Sequence, residues 1–222
     1  MLAVALGLVL SAPPAPADAA LPAWTGGVNL YRTGVYTVQK TWTWCTAADV
    51  QIMRNIVRKQ SDHSYASQKA YFAYMRLHNH YAIPSSDGVD PHGWAAGLRN
   101  WVDSRYRAKS YGTFAAGLKV AVKTLRMTNR PIGILVAHGN HAWVLHGFTA
   151  TADPAKTNSF TVTSVRVTGP LWGIQNRTFG YDMAPNKKLT ASQFRTFWTS
   201  WHYARIRMVW EGRFVAIVPV YS

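Results

Sequence analysis

The chain has 222 residues, with 24 Lys and Arg against 9 Asp and Glu, a formal net charge of +15, and 48% hydrophobic residues that include ten tryptophans. So much apolar side chain excludes a disordered chain, and the length suffices for one domain with its own core. A single cysteine, Cys45, excludes a disulfide framework and a multi-cysteine zinc site.

Met1 to Leu10 reads MLAVALGLVL and runs into the Pro/Ala segment SAPPAPADAA. The apolar run is too short to span a bilayer, and Ala17-Asp18-Ala19 has the small-residue pattern of a leader cleavage site, although no Lys or Arg precedes it. Residues 1–19 are expected to be a signal peptide and residues 20–222 a single domain, secreted or cell-surface associated. No later segment is apolar for long enough to cross a membrane.

Helical spacing then dominates. Ala48, Ile52, Met53, Ile56 and Val57 recur on one face, as do Ala66, Ala70, Ala73, Tyr74, Leu77 and Tyr81, and later Phe114, Leu118, Ala121, Val122 and Leu125. A further helix is expected around Gly93 to Tyr106. After Pro131 the pattern changes to strands at 131–137, 141–149, 160–167 and 213–221, rich in β-branched and aromatic residues and bounded by Gly, Asn, Asp or Pro. Asp153-Pro154 and Asn158 read as turn chemistry between the middle two strands. Helices followed by an antiparallel sheet give the class α+β.

Cys45 falls where an extended Trp/Thr segment meets the first strong helix, in TWTWCTAADVQIM. The positive end of a helix dipole favours a thiolate there. Gln39, six residues earlier, is placed for its amide to reach an oxyanion beside the sulfur after a loop folds back. Downstream, Asn140-His141 opens the strand HAWVLHGF, where an imidazole can face the thiol as general base.

The order Gln39-x5-Cys45, with the cysteine opening a long helix, then His141-Ala142-Trp143-Val144-Leu145-His146-Gly147-Phe148 with its Gly-aromatic pair, resembles the C39-like branch of the papain-like cysteine peptidases. The segment from Arg130-Pro131 to Val136 resembles the family's Pro-led strand before the histidine hairpin. The likeness covers roughly residues 36–60 and 129–173. It implies a papain-like fold, Cys45 as nucleophile, His141 as proton donor to the leaving amine, and Gln39 with the Cys45 backbone N–H as the oxyanion hole.

The family places an Asp or Asn at the end of the strand after the hairpin, whereas this strand ends Arg166-Val167-Thr168-Gly169-Pro170, with Gly169 at the expected carboxylate position. Thr168 is one candidate to orient His141, and an Asp such as Asp182, from the following loop, is another. Asp153-Pro154 has the family's dipeptide but falls at the hairpin tip. The missing carboxylate makes a catalytically inactive domain that binds peptides or cell-surface polymers the alternative to a hydrolase. An acyltransferase would use the same Cys45 and His141.

Trp42 and Trp44, just before Cys45, are the tryptophans expected to line a substrate cleft. His78 and His80 do not share a helix face and have no acidic or Cys residue close by in sequence, so neither metal nor cofactor is expected. The Lys and Arg residues are dispersed and form no nucleic-acid module. The expected partner is therefore a peptide or protein substrate, with acidic ones favoured by the charge, acting on a monomer.

Overall fold

A computed structural model describes residues 21–84, 86–174 and 182–221. The export leader read at 1–19 lies outside them. The elements run β1 (Gly27–Asn29), α1 (Cys45–Arg58), α2 (Tyr65–Leu77), α3 (Pro91–Trp101), β2 (Tyr106–Tyr111), α4 (Phe114–Thr128), β3 (Ile132–Val136), β4 (His141–Ala150), β5 (Val162–Thr168), β6 (Lys187–Thr190), α5 (Ala191–Phe197) and β7 (Phe214–Pro219). The class is mixed α+β, with five helices and an antiparallel seven-stranded sheet among the described residues.

The strands lie in the order β2-β7-β3-β4-β5-β6, with β1 paired to β4 as well. Strand alternation feeds two separate cores. Leu135, Ala142, Val144, Val215 and Ile217 pack with residues of α1, α2 and α3. Their neighbours Ile134, Val136, Trp143, Leu145, Ala216 and Val218 pack with α4 and α5. Because both faces are covered by helices, β3, β4 and β7 read as almost continuous apolar runs, and that is why their sequences stood out.

α3 approaches the sheet closely through Trp94, which is fully buried; a Cβ on Gly133 of β3 would lie 2.7 Å from its indole. The helix expected to reach Tyr106 ends at Trp101, and Tyr106–Tyr111 instead pairs with β7 as an edge strand. Tyr106 donates from its hydroxyl to the Pro131 carbonyl at 2.7 Å, tying that edge to the start of β3. The β4–β5 connection carries Asp153, as expected far from His141. Its carboxylate is more than a turn former, since Arg126 of α4 donates to it from Nε and Nη2 at 2.9 Å in a buried pair.

Side chains cap four of the helices. Ser64, Asp90 and Thr113 accept backbone N–H groups at the starts of α2, α3 and α4, and Thr190 with Gln193 forms a capping box on α5. α1 begins after Trp44 with no side-chain cap. Its first-turn N–H groups are therefore left for another acceptor.

Candidate active site

Cys45 is the first residue of α1 and lies partly exposed at its uncapped end. The two tryptophans before it part ways. Trp42 is 59% exposed and lines the cavities described below. Trp44 points into the core, its ring against Tyr65 and Phe72, so the cleft role expected for it gives way to packing.

His141 opens β4, paired with Val136. The turn before it is held in a conformation that side chains resist: Ala137, His138 and Gly139 all have positive φ, at 50°, 58° and 87°. It persists because its surroundings fix it. The His138 N–H donates to Thr199 Oγ1 at 2.8 Å, its Nδ1 donates to the Ser200 carbonyl at 3.0 Å, and its carbonyl accepts the His202 N–H at 2.9 Å.

His141 Nε2 bonds Asp182 Oδ2 at 3.0 Å, and the Cys45 thiol is in hydrogen-bonding reach of the same ring. With Nε2 committed to the carboxylate, Nδ1 is the ring atom left for sulfur. Burial opposes charge on the imidazole, but the hydrogen bond to Asp182, then that to Cys45, and the negative charge of both hold its pKa up at about 10. Asp182 is itself fixed by backbone N–H donors, Leu171 at 2.6 Å on Oδ2 and Met183 at 2.8 Å on Oδ1.

Gly169 explains how a residue so far along the chain reaches the imidazole. A Cβ built on it would fall 2.0 Å from Asp182 Oδ1 and 2.2 Å from its Cγ. The carboxylate from the later loop thus fills the space that a side chain at position 169 would occupy. The absent side chain and the borrowed carboxylate are one feature.

Thr168 does not orient His141. Its hydroxyl bonds His146 Nε2 at 3.0 Å and accepts the Asn186 N–H at 3.1 Å, because β5 pairs Thr168 with Val144, three residues beyond His141. His146 is fully buried against Tyr31. Burial outweighs its backbone hydrogen bonds and pushes its pKa down to about 3. An unfolded chain takes up a proton near pH 6.5 that the folded one refuses, so His146 withdraws stability as pH falls from about 6.5 toward 3, by up to about 1.4 kcal/mol per pH unit. Melting curves between pH 7 and pH 4 are expected to show a shallower acid loss in His146→Gln than in the parent.

Gln39 is likewise not poised over the sulfur. Its Nε2 donates to the carbonyls of Thr41 (2.7 Å) and Trp42 (3.0 Å), the side chain is 1% exposed, and it lines neither cavity. Both amide protons are spent holding the turn that delivers Cys45. The donors that remain near the sulfur are the backbone N–H groups at the uncapped start of α1.

Two cavities meet at the Cys45–His141 pair, with Trp42 on the wall of each. One, of about 360 Å³, is lined by Cys45, Thr46, Ile83, Leu135, Trp201 and Met208. The other, of about 250 Å³, wraps His141 and Asp182 with Trp143, Leu171 and Phe197. Each is the size of one or two side chains; the first mixes apolar walls with Asp87, Asn140 and Arg205, and the second is mostly apolar. His78 turns back on its own helix, its Nδ1 donating to the Tyr74 carbonyl at 2.8 Å. Among the described residues no group of three or more His, Cys, Asp or Glu is placed to hold a metal ion.

The chain matches no protein-family model, and comparison with curated proteins finds no relative.

Proposed function

We propose that this chain is a secreted thiol hydrolase of the C39-like, papain-like kind that cleaves peptide or amide bonds. The observation that supports it best is the alignment of Cys45, His141 and Asp182 where two side-chain-sized cavities meet. The carboxylate whose absence favoured an inactive binding domain is supplied by Asp182.

In this reading the Cys45 thiolate attacks the carbonyl carbon, and the electron pair of the C=O bond moves to oxygen, facing the N–H groups at the start of α1. The tetrahedral adduct collapses, the C–N bond breaks, and His141 Nδ1 gives its proton to the leaving amine. A water then passes a proton to His141 and attacks the thioester. The C–S bond breaks, the acid product leaves, and the thiolate and imidazolium are restored. Asp182 keeps Nε2 engaged throughout, so that Nδ1 faces the sulfur. Since the imidazole serves the leaving group, the cavity around His141 and Asp182 receives the amine side of the scissile bond. The cavity beside Cys45 and Thr46 receives the acyl side.

Incubation of the purified protein with an electrophilic peptide probe tests the reading. Stoichiometric labelling at Cys45 that disappears in Cys45→Ala is expected. A native protein that is labelled no faster than an unfolded control would overturn it.

A further inference from the structure

Asp49 lies one helical turn after Cys45 on α1, is 0% exposed, and has no hydrogen-bond partner on either carboxyl oxygen among the described residues. The mechanism above does not use it. A carboxylate shut away from water without a single donor is strongly disfavoured, whereas the neutral acid does not carry that penalty. The charges that face it sharpen the point. They are Cys45 on its own helix, His141 on β4, Asp182 from the loop before β6, and the Tyr36 phenol from the segment before α1. Only His141 is cationic, and it already serves Cys45 and Asp182.

Resting on the reading of Cys45 and His141 as a reactive pair, we infer that Asp49 is a buried acid whose proton is coupled to the charge on Cys45. It stays neutral while the thiolate is present, which keeps a second anion from beneath the sulfur. Burial comes first in holding the proton on Asp49, with repulsion by Cys45 next. His141 pulls the other way and Asp182 adds to the repulsion. Coupling of this kind is reciprocal: whatever Cys45 does to the Asp49 proton, an ionised Asp49 does to the thiolate. Asp49 never meets substrate. It is a positioning residue that sets the charge around the nucleophile.

Infrared spectroscopy of protein carrying ¹³C-carboxyl Asp reads this proton directly. At pH 7 the parent is expected to show a protonated-carboxyl stretch that is missing in Asp49→Asn. On raising the pH, the band is expected to vanish about one pH unit or more earlier in Cys45→Ala than in the parent, because the repelling thiolate is gone. No such band in the parent at pH 7, or the same midpoint with and without Cys45, overturns the inference. Should Asp49→Asn not fold, the parent and Cys45→Ala still give the midpoint comparison. Probe labelling of the parent is a separate arm: if it fails, the reactive pair is refuted, whereas normal labelling with an absent band refutes only the role of Asp49.

Discussion

Replacing His141 by Ala is expected to slow alkylation of Cys45 by iodoacetamide at pH 6 by about two orders of magnitude. An ordinary thiol with a pKa near 8.5 is only about 0.3% ionised at that pH. His141, held protonated up to about pH 10, sets an imidazolium beside the Cys45 sulfur across the neutral range, the kind of neighbour that makes a thiol nucleophilic. Peptide turnover is expected to fall by at least the 10²- to 10⁴-fold that one general acid–base group contributes. The same residue links activity to stability with a definite sign. Its folded pKa lies above the unfolded value near 6.5, so the stabilisation it provides is complete below about pH 6.5 and is lost as pH rises toward 10. His141→Ala should therefore remove a slice of stability that the parent itself loses on the alkaline side, which melting curves at pH 6 and pH 10 would show. A parent thiol that alkylates at pH 6 no faster than the variant would end the case for an activated pair.

What the sequence revealed follows from how each element is stabilised. β3, β4 and β7 were legible because helices bury both faces, and α1 and α4 because each has one apolar stripe. α2 was found on the wrong face: Ala66, Ala70, Ala73 and Leu77 are exposed, and the helix instead buries Gln68, Tyr71 and Met75. β6 was not, since KKLT holds a single buried apolar residue, Leu189, on an edge strand. β2 was not read as a strand, and its first residue, Tyr106, was placed at the end of the preceding helix, although Tyr106, Arg107, Ala108 and Lys109 alternate in burial. α5 did carry a sequence signature, the Thr190-x-x-Gln193 capping box, on a segment too short for its periodicity to show.

Cys45 and His141 were readable because each opens an element, and element starts are marked by local sequence. Gln39, Trp44 and Thr168 failed for a common reason. Spacing tells which side chains come near, but not which neighbour takes their hydrogen bonds or which side of the backbone they leave from. Thr168 went to His146 because of strand register, with a bulge between Leu145 and Gly147 beside it.

Asp182→Ala is expected to lower turnover by about 100-fold or more, and a carboxylate returned at position 169 is expected to recover part of it. The hydrogen bond to Asp182 is the largest of the contributions that raise the His141 pKa against burial, so its loss should bring the imidazole titration down toward the ordinary range. NMR titration of the ring would follow this independently of substrate. Gly169 is the lever, because its missing side chain is the space Asp182 enters, with Oδ1 at 2.0 Å from a built Cβ. Gly169→Ala alone should therefore evict the carboxylate and mimic Asp182→Ala. The backbone at 169 is not among the positive-φ glycines, so a side chain there is opposed by Asp182 and not by the main chain. Once Asp182 has been cut back to Ala, Gly169→Asp can place its own carboxyl in the vacated site. The double variant is expected to regain at least about tenfold in turnover over Asp182→Ala and to raise the His141 pKa again. If Gly169→Ala leaves both the His141 titration and turnover untouched, Asp182 does not act through that space. If Gly169→Asp makes Asp182→Ala worse, the two positions are not alternative sources of one carboxylate. The expected rescue would mean that the chain keeps a charged orienter for its histidine by trading a strand-end side chain for one delivered from the next loop.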